Sequence, residues 1–192
     1  MTLSLAHWAP LSWYAAALRE ETLTLEAYEH YQKGSLRNRC YIAGPGGVQR
    51  LSIPLESGKH QQKPVREVLM ADHGDWQRNH WRSIRTAYGN APYFEHFADE
   101  IVVFYEKKYT HLFDYNLEIL NWTLRRIFRW QGKLELSDSW QGPDGQWAVA
   151  DNPASAISYP TYPQVFSDRF GFLPNLSVLD AIFCCGKNIT LE

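Results

Sequence analysis

Apolar and polar positions alternate over residues 2–7 (TLSLAH) and again over 22–28 (TLTLEAY), where Leu23 and Leu25 share a face. A period of two is the mark of a half-buried strand. Pro10 ends the first run, and LSWYAAALRE then reads as a short helix with Ser12 as candidate N-cap. Strand, helix and strand joined by short links predict a parallel pair. The runs RNRCYIA and VQRLSIPL flank Ala43-Gly44-Pro45-Gly46-Gly47 and predict a hairpin. PVREVLM, residues 64–70, predicts one more short strand.

The period then changes to that of a helix. Gly74-Asp75 introduces the first, with Asp75 as its expected cap. At about 100° per residue, Trp76, Ala87, His80, Ile84, Tyr88 and Trp81 fall in one arc, with Arg85, Arg78 and Arg82 as a stripe beside it. Pro92 opens a second helix, whose buried face is Phe94, Phe97, Ile101 and Phe104. A third runs from about Thr110 to Trp130, with Phe113, Leu117, Leu120, Leu124, Ile127 and Phe128 as its stripe. Residues 131–158 are rich in turn formers and predict a long loop holding at most a short strand. YPQVF reads as extended, FGFLPN as a turn, and SVLDAIF as a final helix with Asn175 as candidate cap. The expected fold is α+β: a single domain over 1–192, with a mixed β-sheet including a hairpin packed against about three to four central helices.

Composition narrows the function classes. The 192 residues carry 19 Lys and Arg against 21 Asp and Glu, a net charge of −2. No broad basic field exists to drive nucleic-acid binding. Three cysteines, Cys40 and the adjacent Cys184 and Cys185, do not make a disulfide framework and point to a reducing compartment. The first residues lack the cationic start and apolar run of a signal peptide, and no run approaches a membrane span, so a cytoplasmic location is expected. Matches to N-x-S/T at Asn121, Asn175 and Asn188 then read as chance.

Within this nearly neutral chain, Gln32, Lys33, Arg37, Asn38 and Arg39 gather just before the hairpin. Arginine forks and a lysine suit phosphate or carboxylate, although a charged strand edge that resists aggregation reads the same way. The glycine turn is not a phosphate loop: no Lys-Ser/Thr follows it and no helix begins there. His80 sits inside an apolar arc with arginines along one edge. A neutral imidazole there could serve as general base, or could be a core histidine with a backbone partner. No H-x-x-x-H or C-x-x-C spacing suggests a metal, no G-x-S-x-G suggests a serine nucleophile, and no cofactor is expected.

QKGSLRNR, the hairpin ending in LSIP, and HWRSI followed by AYGNAPYFE together resemble the WbqC-like proteins. The resemblance runs from about residue 3 to 186, and the closing YPQVFSDRFGFLPNLSVLDAIF looks like the end of a subgroup found in Bacteroidetes-type bacteria. It implies a role in O-antigen (lipopolysaccharide) biosynthesis, with transfer of glycine or a similar acyl group to an amino sugar. The matching positions are Gln32, Lys33, Asn38 and Arg39 in the first motif and Trp76, His80, Tyr88, Pro92 and Tyr93 in the second. Two departures stand out: His7-Trp8-Ala9-Pro10 replaces a Gln-Pro-x-Tyr-like start, and Cys184-Cys185 falls where other residues are expected.

The expectation is therefore a small-molecule transferase. His80 is its base and Lys33, Arg39 and Arg37 hold an anionic substrate or donor. Gln32, Asn38, Trp76, Arg82, Tyr88 and Tyr93 complete the substrate contacts. The competing expectation is a non-catalytic protein binding a nucleotide or carboxylate through the same pocket.

Overall fold

The computed structural model describes residues 1–56, 63–72, 74–140, 142 and 161–191. Strands β1 (Thr2–Leu3) and β2 (Thr22–Leu25) flank helix α1 (Leu11–Ala17) and pair in parallel, as expected for that order. The first run is shorter than its alternation suggests. Trp8, a bulky residue, takes φ +40°, which turns the chain out of extended conformation after His7. Strand β5 (Lys133–Leu136) joins the other side of β2, also in parallel, with Leu23 opposite Leu134 and Leu25 opposite Leu136. It is the short strand allowed within residues 131–158; most of that predicted loop lies outside the described residues.

Strands β3 (Arg39–Gly44) and β4 (Gly47–Ser52) form the hairpin in register, from Arg39 opposite Ser52 to Gly44 opposite Gly47. The connection is Pro45-Gly46, and Gly47 at φ +101° takes a backbone shape that side chains resist. The hairpin is a separate two-stranded sheet and does not extend the parallel one. The strand expected over residues 64–70 does not form. Pro64 lacks an N–H, Val65–Glu67 close a 3₁₀ turn, and the stretch makes isolated bridges only, His30 to Pro64, Leu55 to Met70 and Leu69 to His111.

Helices α2 (Trp76–Tyr88), α3 (Phe94–Glu106) and α4 (Leu112–Trp122) follow the predicted periodicity, and Ile84, Tyr88, Phe97, Ile101, Leu112 and Leu120 are buried. Two expectations at helix ends change. Asp75 does not cap α2: it sits at φ +47° and its carboxylate pairs with Arg78. The third helix stops being α-helical at Thr123, where a five-residue π-turn, Thr123–Ile127, begins. Thr123 bonds the Ile119 carbonyl at 2.9 Å, and such back-bonding disturbs a helix locally. Short α5 (Ser167–Phe170) precedes α6 (Val178–Cys185), which is capped by Ser177. Asn175, expected to cap α6, instead accepts from the Ser12 amide at 3.1 Å and so serves the start of α1, where Ser12 had been the candidate cap.

The two sheets, α1 and α6 close on α2–α4 around one core, and the architecture is α+β in a single domain. No helix among the described residues is long and apolar enough to cross a membrane. Cys40, Cys184 and Cys185 are all thiols.

Candidate functional site

Helix α2 lies along the hairpin and is tied to it at three levels. Tyr88 Oη accepts from the Ala43 amide at 3.0 Å, Gln49 donates to Ser83 Oγ at 3.1 Å, and His80 Nε2 meets the Ser52 carbonyl at 3.2 Å. The spacing of these contacts follows from helix rise against strand rise. It puts His80 at the open root of the hairpin, since Ser52 is paired with Arg39. The pairing continues one step further, with Asn38 Nδ2 donating to the Ile53 carbonyl at 2.8 Å and Asn38 Oδ1 accepting from Tyr31 Oη at 3.0 Å. The imidazole and the Asn38-Arg39 pair are thus brought together.

The Ser52 carbonyl can only accept, so Nε2 of His80 carries the hydrogen and Nδ1 carries the lone pair. Nδ1 is buried and has no hydrogen bond among the described residues. Burial pushes the His80 pKa down to about 4, against the raising influence of the Ser52 bond. Around the ring stand Trp76 (centroid distance 5.1 Å), Tyr105 (6.2 Å) and a second histidine, His7 (6.2 Å).

His7 stands out in the sequence only as part of the departing His7-Trp8-Ala9-Pro10 start, not as a site residue. It is fully buried and stacks on Tyr115 at 5.5 Å. Neither of its ring nitrogens makes a hydrogen bond of ordinary geometry among the described residues. Burial first, and then His80, hold it well below the usual imidazole value, while adjacent Asn116 acts the other way. Asn116 donates to the Arg37 carbonyl at 2.7 Å and turns its side chain toward His7, while the Tyr115 hydroxyl faces Tyr105; neither Asn116 Oδ1 nor Tyr115 Oη makes a hydrogen bond of ordinary geometry among the described residues. Buried polar atoms that fall short of good hydrogen-bond geometry are rare, and here they sit on four neighbouring side chains, His7, His80, Asn116 and Tyr115. The strained backbone of Trp8, whose Nε1 donates to Tyr105 Oη at 2.9 Å, lies beside them. An internal space of about 10 Å³, the size of one water, is lined by His7, Trp8, Cys40 and Ser177 among others.

Other predicted site residues lie elsewhere or are already engaged. Arg37 is 1% exposed and gives Nε and Nη2 to Glu29 at 2.8 and 2.6 Å, while Glu29 also accepts from Ser4 at 2.7 Å. Its charge is neutralised inside the protein, which removes it as an anion holder. Gln32 and Lys33 are exposed on the preceding loop, and Arg39 is half-buried. Arg82 points away from His80 into an open groove of about 620 Å³ with Arg78, Arg85, Phe94 and Glu95. Tyr88 lies eight residues along α2, roughly 12 Å away by helix rise. Its hydroxyl donates to Asp180 at 2.8 Å. Tyr93 packs against Gly186 and His96.

Asp180 is a second buried polar centre that sequence reasoning missed. It accepts from Tyr88, from Tyr162 at 2.7 Å and from Gln164 at 2.9 Å. Burial still raises its pKa, although all three donors oppose the shift. Both Asp180 and Asn116 had a visible signal, a polar residue within an apolar helical run. Among the described residues no group of three His, Cys, Asp or Glu side chains is placed to hold a metal ion.

The sequence profile of the WbqC-like protein family matches residues 11–151. The chain belongs to the WbqC-like family. That span includes the hairpin, α2 and α4, hence Asn38, Arg39, His80 and Asn116; His7 and Asp180 fall outside it. An uncharacterized protein of Mycobacterium tuberculosis, Rv1507c, is 36% identical over 194 aligned positions, covering 81% of this chain and 80% of its own length. No solved structure matches the chain.

Proposed function

We propose that this WbqC-like protein belongs to the Bacteroidetes-type subgroup and is a cytoplasmic small-molecule transferase that moves an acyl or aminoacyl group, of the glycine type, onto the amine of an amino sugar for surface polysaccharide. Arg39 and Lys33 hold the anionic donor at the hairpin root, and Asn38 fixes that root. The amine attacks the acyl carbon, the new C–N bond forms, and its proton passes to Nδ1 of His80. The proton then returns with the departing leaving group. The observation that carries this reading is the fixed tautomer of His80: a lone pair buried beside Arg39's hairpin root, held there by the Ser52 carbonyl.

A second reading has its own support. An imidazole held at about 4 is a weak proton acceptor at neutral pH, which suits a protein that only binds a nucleotide or carboxylate. An anion docked beside the ring would raise that value and restore a base, so the two readings separate by experiment. A thermal-shift screen with nucleotide sugars, aminoacyl donors and carboxylates finds the ligand, because binding to the native state alone raises the melting temperature. With that ligand, His80→Ala in a transferase abolishes turnover and keeps the fold. If His80→Ala only weakens binding modestly, the binding reading stands and the transferase is overturned.

A further inference from the structure

The outer face of α2 carries a charge pattern that neither the core nor the hairpin uses. Arg78, Arg82 and Arg85 recur at i, i+4 and i+7, which makes them one stripe, roughly opposite His80 around the helix. All three are exposed. Arg78 is tied to Asp75, whereas Arg82 and Arg85 make no hydrogen bond or ion pair among the described residues. Like charges at this spacing repel along a helix, and the chain as a whole is slightly acidic, at a net charge of −2. Composition therefore does not account for the stripe.

The stripe lines the groove of about 620 Å³ between α2 and α3, a volume suited to a small molecule. Glu95, in the first turn of α3, lines the same groove and pairs with none of the arginines. Opposite charges thus share the groove without meeting, and the space between them is open to a ligand. Thr86 adds a hydroxyl, and the half-buried rings of Trp81 and Phe94 add an apolar bed. Those rings are already engaged: Trp81 stacks on Phe94 and on Tyr105, each at 6.0 Å, and Phe94 leans on Phe183 at 5.1 Å. They offer a surface for C–H groups rather than a bare platform for a nucleobase.

A phosphate alone would gain two guanidinium forks and be repelled by the carboxylate. A neutral sugar would suit the carboxylate and leave the forks unused. A molecule with a phosphate at one end and hydroxyls at the other satisfies both sides. We propose that the α2–α3 groove is a sugar-phosphate site, separate from the hairpin root. Arg82 and Arg85, about 4.5 Å apart along the helix axis, grip the phosphate. Glu95 accepts from the sugar hydroxyls, and the ring lies on Trp81 and Phe94. The site does not depend on the transfer reading, because His80 lies on the other side of α2.

The test is calorimetric titration of the whole chain at about 0.15 M salt, where diffuse surface attraction is screened. Glucose 6-phosphate, inorganic phosphate and glucose are added separately, and the ¹⁵N signals of the arginine side chains are followed in parallel. Glucose 6-phosphate binds, moves the Arg82 and Arg85 signals and leaves Arg39 in place. Phosphate binds at least tenfold more weakly, and glucose does not bind. Arg82→Gln and Arg85→Gln each weaken the sugar phosphate about tenfold or more, as loss of a charged hydrogen-bond partner does. Glu95→Gln narrows the preference for glucose 6-phosphate over phosphate. Equal affinity for phosphate, movement confined to Arg39, an unchanged preference in Glu95→Gln, or no binding overturns the proposal. So does a poly-glutamate peptide that binds the arginines more tightly than the sugar phosphate, which would make the groove a docking face for acidic protein. Circular dichroism and melting temperature check the fold of each variant, and the labelled wild-type titration decides if a variant is destabilised. Arg39→Gln leaves this binding unchanged; its loss there would place the ligand at the hairpin root and overturn the separate site.

Discussion

Burial acts on His7 and His80 in one direction: both stay neutral in the folded protein at pH values where the unfolded chain binds protons. With an unfolded value of 6.5 and a folded value of about 4 for His80, stability is fully present above pH 6.5 and falls as pH drops toward 4. Each imidazole contributes a slope of up to about 1.4 kcal/mol per pH unit in that window. Urea unfolding between pH 7 and 4.5 should therefore show a falling midpoint, and replacing His80 by Gln should flatten the slope. A variant with the same pH slope as wild type would mean that His80 is not held neutral. For His80 the environment is tolerated because the Ser52 carbonyl accepts the hydrogen that the neutral ring already holds.

At the scale of elements, remote residues finish what local sequence leaves open. Helix α1 begins after Pro10 with no side-chain cap of its own, and the Asn175 side chain supplies one from far along the chain. Asn175→Ala should lower stability by about 1 kcal/mol, read in denaturant unfolding, because a buried amide at the helix start loses its acceptor. Asn175 also sits at φ +53°, a shape asparagine tolerates, so Asn175→Gly separates backbone from cap: it keeps the backbone and loses only the bond. At the far end of α6, Gly186 sits at φ +65° and ψ −123°, and a Cβ there would lie 2.7 Å from the Tyr93 ring. Gly186→Ala should cost roughly 2 kcal/mol, with a lower melting temperature as the measure. In Gly186→Ala combined with Tyr93→Leu, part of that loss returns, because the clash goes and the backbone strain remains. Full recovery would assign the whole cost to the clash.

For the whole molecule, the buried Glu29–Arg37 pair is the knot. Ser4 bonds it from just after β1, Glu29 stands after β2, Arg37 leads into the hairpin, and Asn116 on α4 holds the Arg37 carbonyl. Removing one partner leaves a buried charge alone, so Glu29→Ala should destabilise by about 3–5 kcal/mol in denaturant unfolding. A double replacement, Glu29→Leu with Arg37→Met, should recover most of that loss; if it is no more stable than Glu29→Ala, the cost is packing and not charge. Periodicity by itself determined the helices α2 to α4, the hairpin and the parallel order of β1 and β2, because amphipathic spacing and glycine chemistry act over a few residues. It also marked His80 and the Asn38-Arg39 pair. Only the tertiary structure decided that Arg37 is spent on Glu29, that Arg82 faces a separate groove, and that His7 stands beside His80. Those outcomes depend on which buried group meets which across tens of residues, and the pairing of a charge or the desolvation of an imidazole is a property of the partner that arrives, not of the local run that carries it.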